Sequence, residues 1–512
     1  MTGANPLKFM LNLHSIAHRF ELPPGSAESG SSLVWALNGT LLVAAAATAV
    51  WLWHFAVRRD IGRANERLKR FALSTPILVV LMLSGTFNFV TSNYLGYEVP
   101  RDLLQDVESA KLWLQGKPAF PLNMTDDIRN TLQQEPKPGS ASQWIPRLGE
   151  IEQTSARRVE GEPWAQAHPA SMTLLLALFV PWLHVRTIQL LFALISLAAL
   201  AGTVHLLGKG LGFSRRLKAV FFWALVGWFP FWMVLRNGQV GMFLTFFMTL
   251  SWYLLRQDRD RAAGVWLGVA TALKLFPGLV AVYLLVRRRK AFWPAFVSAS
   301  ALLLLSFGIV GWHNTLDYFR VVRFVQDYYR DYKANLSLLS VFTGIAPLTR
   351  FAPILAQLFF VAFIALLIYT VTRKSREVAG AVTLDLEYAM FMALLPVLSP
   401  VSWDHYLVIL TLPLAVLISC LRNSVVFPER RWWSIGFLFV VAVLAVPQPC
   451  SMWMASVLRL SRPIVLVKLP VAAVFAVFAL LWGMRMHLAL PSSALRFPPA
   501  KVDTESIERT AA

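Results

Sequence analysis

Long apolar runs restrict the fold of this chain more than any other feature of its sequence. Residues 33–57 read LVWALNGTLLVAAAATAVWLWHFAV, and residues 294–312 read PAFVSASALLLLSFGIVGW. A helix needs about 20 mainly apolar residues to cross the hydrocarbon core of a bilayer. Hydropathy predicts about thirteen such segments, at residues 33–57, 74–95, 170–184, 186–207, 217–235, 239–256, 262–286, 291–311, 351–372, 386–399, 404–421, 432–448 and 463–484. The sequence therefore predicts an all-α polytopic membrane protein.

Composition agrees with a membrane protein and limits the expected partners. Of the 512 residues, 56% are hydrophobic and 15% are charged, whereas a soluble protein carries about 25% charged residues. The net charge of +20 does not require a nucleic-acid partner, because basic loops orient membrane spans and contact anionic lipid headgroups. Membrane lipids are therefore expected as partners, and nucleic acid is not.

Three other common sequence signals are missing from the pattern. The first thirty residues contain no apolar h-region, so we expect no cleaved signal peptide. Cys420 and Cys450 are too few for a disulfide framework, and their spacing matches no metal motif.

Short basic loops predict how the spans are oriented. Lys and Arg concentrate in the loops at residues 57–70, 286–290, 372–376 and 428–432, and in the tail after Trp482. Such loops remain on the cytoplasmic side. The two long loops, 96–169 and 312–350, and the short stretch 399–406 should then share the extracytoplasmic face.

Residues 170–286 conflict with this orientation. If the segment crosses the membrane five times, the basic loops near Lys209–Lys218 and Arg256–Arg261 alternate to the outer face. Half-penetrating helix pairs would remove the conflict. The stretch ALKLFPG at residues 272–278, which contains Pro277, is a candidate break point. The sequence alone leaves both arrangements open.

The segment PRDLLQDVESAKLWLQGKP, residues 100–118, predicts a short amphipathic helix after a span. Asp102 is an N-cap candidate, Gln105 completes a capping box, and Gly116 occupies a helix-ending position. Asp102 and Asp106 lie four residues apart and therefore share one helix face. We expect the helix to lie in the membrane interface, with its apolar face toward acyl chains and its acids at headgroup depth. Alternatively, Asp102 only caps the helix and Asp106 is solvated.

A single lysine stands inside the apolar run GVATALKLFPGLV, at residues 268–280. Lys274 is about a dozen residues from either end of its predicted span, so its ammonium reaches an interface only with difficulty. A charge deep in a span costs roughly 2.5–3.5 kcal/mol and usually pairs or lines a cavity. Lys274 is therefore a candidate phosphate-binding residue, with snorkelling to an interface as the alternative.

The segment WMVLRNGQVGMF, residues 232–243, places three polar side chains between two apolar runs. They are Arg236, Asn237 and Gln239. Arg236 is a second candidate for binding phosphate. Asn237 and Gln239 are candidate substrate-binding residues, and equally they are candidate turn residues around Gly238.

The segment LLPVLSPVSWDHYLVIL, residues 394–410, joins two predicted spans through a polar knot. The knot contains Ser402, Trp403, Asp404 and His405. Trp403 is also typical of an interfacial belt, but Asp404 and His405 are not residues of a lipid-facing helix. Acid–base chemistry or hydrogen bonding to a phosphate would explain them. No second His or Cys lies at metal-ligand spacing.

Several of these segments together resemble glycosyltransferase family 87, a GT-C-fold family that uses polyprenyl-phosphate sugars, mainly mannose. The resemblance covers most of residues 75–485. It rests on the Asp-led helix ending in LQGKPAF, and on HPASMTLLLALFVPW, RNGQ, AGVWLGVATALKLFP, NLSLLSVFTG and SPVSWDHYLV. Within the family, the chain resembles mycobacterial α-mannosyltransferases that extend phosphatidylinositol mannosides.

The resemblance implies roles for particular residues. In the family pattern, the general base is an aspartate fourteen residues before the helix-ending glycine, which is Asp102 here, with Asp106 as a second candidate. A histidine in the outer-face SWDH element matches His405. Substrate contacts are implied for the remaining candidates, Asn237, Gln239, Asn335, Ser402, Trp403 and Asp404. The sequence HPA at residues 168–170 departs from the family's tyrosine-proline-proline, which affects the expected acceptor contacts.

The resulting hypothesis is a metal-independent transferase without a resident cofactor, in a bacterial-type plasma membrane. It would move a hexose, with mannose expected, from a polyprenyl-phosphate donor to a lipid-linked or glycan acceptor, with inversion. The alternatives are a GT-C pentosyltransferase that uses an arabinose-type donor, and a lipid or glycan transporter. We expect an N-terminal extension (1–70) with one additional span, a catalytic membrane domain (71–485) and a cytoplasmic tail (486–512).

Overall fold

The structure is a computed structural model that describes residues 74–90, 100–134, 165–332, 334–374, 380–422, 430–445 and 468–489. The predicted span at residues 33–57 and the tail beyond residue 489 lie outside this part of the chain. All regular secondary structure in the described ranges is helical. This arrangement confirms the all-α class.

The α-helices are numbered here in chain order. They are α1 (Thr75–Val90), α2 (Arg101–Leu114), α3 (Thr125–Gln134), α4 (Ala170–Ala177), α5 (Val185–Gly210), α6 (Arg215–Val226), α7 (Phe229–Asn237), α8 (Gly241–Leu255), α9 (Asp260–Leu273), α10 (Val280–Arg287), α11 (Arg289–Val310), α12 (Trp312–Tyr329), α13 (Leu338–Thr343), α14 (Ala352–Thr372), α15 (Gly380–Leu398), α16 (Thr411–Arg422), α17 (Arg430–Ala445) and α18 (Leu469–His487). Short 3₁₀ turns precede α10, α14 and α16, at Phe276–Leu279, Ala346–Phe351 and Asp404–Leu410.

Six helical segments in the described ranges are long and apolar enough to cross a membrane, and the pair α6–α7, bent by 56°, makes a seventh if counted as one span. The protein is therefore a multi-pass membrane protein. Not all of the thirteen predicted spans are tested, because the span at residues 33–57 lies outside the described residues. Two of the others differ from the prediction for physical reasons. The predicted span 170–184 contains only the eight-residue helix α4, and the predicted span 262–286 is broken after Leu273.

The broken segment 260–287 is a helical hairpin that enters and leaves the fold on the same side. At its base, Arg288 Nη1 lies 3.1 Å from Asp258 Oδ1 and 3.7 Å from Asp260 Oδ1. At its tip, Lys274 has extended backbone angles, and the 3₁₀ turn with Pro277 redirects the chain. Helix α9 rises roughly 21 Å, against roughly 33 Å for α11, at 1.5 Å per residue. The hairpin therefore stops short of the far side, and Lys274 stands at a helix break rather than inside a span.

Two acids on α15 hold together the ends of three other helices. Asp385 accepts hydrogen bonds from Arg256 Nη1 at 2.5 Å and from the Trp252 indole at 2.9 Å. Glu387 pairs with Arg287 at 3.2 Å and with the buried Arg485 at 2.9 Å. The basic ends of α8, α10 and α18 therefore meet on one side of the bundle. This arrangement matches the re-entrant interpretation and removes the orientation conflict.

Helix α2 begins and ends differently from the capping-box prediction. Its N-cap is Pro100, and Asp102 occupies the second helical position without making a cap hydrogen bond. Asp102 still lies in the first turn, where a carboxylate interacts favourably with the helix dipole. The predicted end is confirmed, because Gly116 has φ +72° and Lys117 N–H donates to Leu112 C=O at 2.9 Å, as in a Schellman motif.

Helix α2 is enclosed by protein, so the predicted interfacial helix with one wet face is wrong. Its polar residues Asp106, Glu108 and Ser109 are 1%, 5% and 0% exposed, whereas the supposedly apolar-face Leu114 is 47% exposed. On the other side, Leu103 is buried so closely against Gly238 that a Cβ on that glycine would collide with it. The helix packs into the bundle instead of resting on acyl chains.

The described parts of the three polar regions meet at one end of the bundle, as predicted. Asn314 Oδ1 accepts a hydrogen bond from Ala119 N–H at 2.8 Å, which joins the long loops. Asn335 Oδ1 accepts from Ser402 N–H at 3.0 Å, which joins the second loop to the polar knot. This end lies opposite the cluster of basic helix ends.

Candidate active site

Two carboxylates from α2 point toward the tip of the hairpin. Asp106 is buried, and it accepts hydrogen bonds from Gln166 Nε2 at 2.7 Å and from His168 Nδ1 at 2.8 Å. Asp102 is partly exposed and accepts a hydrogen bond from Gln239 Nε2. The interpretation of Asp106 as a solvated residue is therefore wrong, and the shared helix face is confirmed.

Lys274 connects the partners of the two carboxylates. Its Nζ lies 2.9 Å from His168 Nε2 and 3.4 Å from Gln239 Oε1, and it lies 4.4 Å from the centre of the Tyr406 ring. The ammonium is thus held by one nitrogen, one amide oxygen and one aromatic face. Snorkelling does not describe this arrangement.

The contacts of Lys274 are consistent with one set of hydrogen-bond donors and acceptors. Lysine ammonium is only a donor, so His168 accepts from it through Nε2 and donates Nδ1–H to Asp106. Gln239 donates its amide N–H to Asp102 and accepts from Lys274 through its oxygen. The array therefore contains two carboxylates and one ammonium, connected through a histidine on one side and an amide on the other.

His405 lies next to this array and brings a buried imidazole to it. The residue is 1% exposed, and its ring lies 4.6 Å from that of Tyr406, which covers Lys274. Neither ring nitrogen has a hydrogen-bond partner among the described residues. A buried polar group without a partner is costly, so a bound ligand is the natural partner for this imidazole.

Asn335 organises the loop that carries His405. Its side chain accepts from the N–H groups of Ser402 and Ser337, both at 3.0 Å. Lys468 reinforces the loop by donating to the Asn335 carbonyl and to Ser340 Oγ. Burial lowers the pKa of the Lys468 ammonium to about 8, while the negative charge of Asp404 opposes this shift. Asn335 and Ser402 are therefore part of the frame of the site.

The remaining candidates have other surroundings. Trp403 packs edge-to-face on Tyr329 and Tyr332, at 5.0 and 5.5 Å between ring centres, so it belongs to an aromatic cluster rather than a lipid belt. The Arg236 guanidinium lies 4.9 Å from the centre of the Trp232 ring, which favours a packing role over phosphate binding.

Asn237 and Gln239, on either side of Gly238, were predicted to be either turn residues or site residues. The structure gives a different answer for each. Asn237 ends α7, and Gly238 follows in the left-handed conformation with φ +65°, so the turn interpretation describes Asn237. Gln239 contacts both Asp102 and Lys274, so the site interpretation describes Gln239. Asp404 is buried beside this region at 6% exposure.

Sequence reasoning missed four residues that shape the site: Gln166, His168, Tyr406 and Lys468. Lys468, like Lys274, is a single lysine in an apolar run, and this pattern could have identified it. His168 was visible only as a departure from the family motif. Among the described residues no cluster of three or more His, Cys, Asp or Glu side chains could hold a metal ion; metal independence remains a prediction.

Comparison with known families adds the enzyme class. Residues 168–395 match the model of glycosyltransferase family 87. This is narrower than the resemblance over 75–485 and covers less than half of the 512 residues. The match begins at His168 and includes Gln239, Lys274 and Asn335. Asp102 and His405 lie outside it. No curated protein and no solved structure matches the chain.

The multi-pass helical fold and this match define a membrane glycosyltransferase. Within the matched segment, the chain is similar to family 87. An enzyme of this class uses a lipid-linked sugar donor and an acceptor. The predicted transferase activity is thereby confirmed at the level of the family.

Proposed function

We propose that the protein transfers a hexose, with mannose expected, from a polyprenyl-phosphate sugar to a hydroxyl of a lipid-linked or glycan acceptor. The observation that carries this proposal is the array in which Lys274 stands between the partners of Asp102 and Asp106. It supplies a carboxylate to receive a proton and an ammonium to meet a phosphate. Both groups lie at the end of the bundle opposite the basic helix ends.

Asp102 is assigned as the general base. An acceptor hydroxyl is a weak acid, so a positioned carboxylate must take its proton as the new bond forms. Asp106 is less suited, because its two oxygens are already held by His168 Nδ1, at 2.8 and 2.9 Å, and by Gln166. Asp102 is partly exposed, and its hydrogen bond from Gln239 engages Oδ2. We assign the other oxygen to the acceptor hydroxyl.

The leaving group is assigned to Lys274 and His405. The acceptor oxygen attacks the anomeric carbon, its proton passes to Asp102, and the bond from that carbon to the phosphate oxygen breaks. The electron pair leaves with the polyprenyl phosphate, which gains negative charge in the transition state. A preorganised ammonium and imidazole stabilise such charge. Attack from the face opposite the phosphate inverts the anomeric carbon.

The proposed location follows from the distribution of charge. By the positive-inside rule, we assign the side with the basic ends of α8, α10 and α18 to the cytoplasm. The array then lies toward the extracytoplasmic side of a bacterial-type plasma membrane. A donor anchored in the outer leaflet would reach it from the bilayer, and no resident cofactor or metal takes part in the proposed step.

The test is an assay of purified protein in lipid nanodiscs with polyprenyl-phosphate mannose and, separately, with polyprenyl-phosphate arabinose. Asp102→Asn is nearly isosteric and should lower kcat by about 10²–10⁴-fold, the usual contribution of a general base. Asp331→Asn, which changes an exposed carboxylate that pairs with Arg330, is the matched control and should keep wild-type turnover. Turnover with the arabinose donor alone would indicate the pentosyltransferase.

The transporter alternative makes the opposite prediction. A transporter would move labelled lipid or glycan across a proteoliposome membrane without forming a glycoside, and Asp102→Asn would leave that movement intact. Glycoside formation by the wild type, lost in the variant with donor binding retained, supports the transferase. Transport without any glycoside would overturn the proposed reaction.

A further inference from the structure

His168 joins the helix that carries the two carboxylates to the tip of the hairpin. Its Nδ1 lies 2.8 and 2.9 Å from the two oxygens of Asp106, and its Nε2 lies 2.9 Å from Lys274 Nζ. The histidine is 7% exposed and Asp106 is 1% exposed. Both ring nitrogens are therefore engaged inside the protein, one by a carboxylate and the other by an ammonium.

Asp106 determines which ring nitrogen of His168 carries the proton. An ionised carboxylate only accepts hydrogen bonds, so Nδ1–H donates to Asp106 and Nε2 presents its lone pair to the ammonium. Gln166 Nε2 donates to the same carboxylate at 2.7 Å and helps to hold it in place. Behind a metal-bound histidine, a carboxylate fixes the tautomer and orients the ring in the same way. Here the cation that the ring meets is the Lys274 ammonium.

Two further hydrogen bonds hold the segment that carries His168 between α2 and the hairpin. Ser171 Oγ donates to the Ala272 carbonyl, near the hairpin tip, at 2.5 Å. Thr173 Oγ1 lies 3.1 Å from Ser109 Oγ of α2. The position of the imidazole is therefore set by the surrounding fold as well as by its own two contacts.

The two hydrogen bonds of Lys274 are unequal. The contact to His168 Nε2 is 2.9 Å, whereas the contact to Gln239 Oε1 is 3.4 Å, beyond the usual range of about 2.7–3.2 Å. Gln239 in turn donates to Asp102, so an amide separates the ammonium from that carboxylate. A lysine stem is flexible, and without His168 the opposite charges would draw the ammonium onto Asp102. The proton acceptor and the cation would then engage each other.

We propose that Asp106 and His168 form a positioning pair that holds the Lys274 ammonium at the donor phosphate and apart from Asp102. This assignment rests on the proposed function, in which Lys274 stabilises the leaving phosphate. The incoming phosphate takes the place of the long contact to Gln239, while the short contact to His168 remains. Asp106 thus acts through His168 and Lys274, without receiving the proton of the acceptor.

The test separates the two hydrogen bonds of His168. His168→Asn places an amide nitrogen near the position of Nδ1, so it keeps a donor for Asp106 and loses the acceptor for Lys274. His168→Gln reaches the position of Nε2 and restores an oxygen that accepts from Lys274. His313→Leu, which changes an exposed histidine of α12, is the control. Both kcat and KM are measured in nanodiscs with polyprenyl-phosphate mannose, and Tm is measured for each variant.

The expected result is a selective loss in His168→Asn. A small misplacement of a binding group can cost about 10²-fold in rate, so kcat/KM should fall by about 10–10²-fold. His168→Gln should stay within about fivefold of the wild type, and His313→Leu within about twofold. Equal losses in the Asn and Gln variants of His168 would overturn the positioning role.

A double-mutant cycle shows whether His168 acts through Lys274. In a Lys274→Met background, His168→Asn should lower kcat/KM by less than about threefold further, because no ammonium remains to be positioned. If His168→Asn does not fold, Asp106→Asn takes its place in the cycle, because an amide no longer requires the proton on Nδ1. A full further loss in the Lys274→Met background would overturn the proposal.

A structure of the His168→Asn variant tests the pair without an activity assay. The expected result is Lys274 Nζ within about 2.7–3.2 Å of an Asp102 oxygen. Lys274 Nζ in its wild-type position would overturn the positioning role, whatever the reaction. Absence of glycoside formation by the wild type would instead contradict the proposed function.

Discussion

Replacing Lys274 with methionine separates the charge of this residue from its size. The ammonium lies 2.9 Å from His168 Nε2, 3.4 Å from Gln239 Oε1 and 4.4 Å from the centre of the Tyr406 ring. Methionine has a similar length and keeps the apolar contacts of the stem. It removes the only ammonium that the described structure places between the partners of Asp102 and Asp106.

The effect on catalysis should exceed the effect on folding. Loss of one donor that stabilises transition-state charge costs about 2.7–4 kcal/mol, or about 10²–10³-fold in kcat. Folding loses a charge-assisted hydrogen bond, worth about 1.5–3 kcal/mol, but also avoids the cost of burying an ammonium. Asp106 keeps His168 and Gln166. We therefore expect a stability loss of only about 1–2 kcal/mol.

The assay is steady-state turnover with polyprenyl-phosphate mannose, together with thermal stability in the same detergent. Lys468→Met is the informative comparison, because Lys468 also makes two hydrogen bonds, but they go to Asn335 and Ser340. It should lose stability with a much smaller loss of kcat. If Lys274→Met kept kcat within about threefold of the wild type, the assignment of Lys274 to the leaving group would be refuted.

Two further predictions concern folding. Gly238→Ala forces a left-handed backbone on alanine and drives its Cβ into Leu103. We therefore expect the free energy of unfolding to fall by about 2–5 kcal/mol, measured as a lower Tm. An unchanged Tm would contradict the close packing. Glu387→Gln leaves the buried Arg485 without its charge partner and should cost about 3–5 kcal/mol. Turnover per folded molecule should stay near wild type, and a selective loss of kcat instead would show that this cluster acts on the site.

The sequence predicted the fold class well because apolar runs of sufficient length leave few alternatives to helices in lipid. The number of spans was harder to predict. A run such as 262–286 has the same hydropathy whether it crosses or turns back, and only its pairing distinguishes the two. Here that pairing is the ion pair from Arg288 to Asp258 at the hairpin base, a long-range contact that periodicity does not encode.

The candidate site was predicted in part. Lys274 and Gln239 stood out because charged and amide groups are rare in apolar runs, and the structure brings both to the carboxylates of α2. The surroundings of Asp106 were not predictable from its helix. The helical spacing of apolar residues in α2 suggested that the opposite, polar face is exposed to solvent. In a polytopic bundle, however, a polar face can contact other polar side chains, here His168 and Gln166. Roles for Asp102 and His405 remain predictions.

The clamped base of the hairpin has a consequence for how substrates arrive. Both legs are tied at their lower ends, where Arg288 pairs with Asp258 and Asp260 and where Arg287 pairs with Glu387. The tip is held as well, because Lys274 Nζ contacts His168 Nε2 and Gln239 Oε1. Lys274 therefore keeps a fixed position beside the two carboxylates of α2. Under the proposed function, the lipid-linked donor would therefore have to move to Lys274.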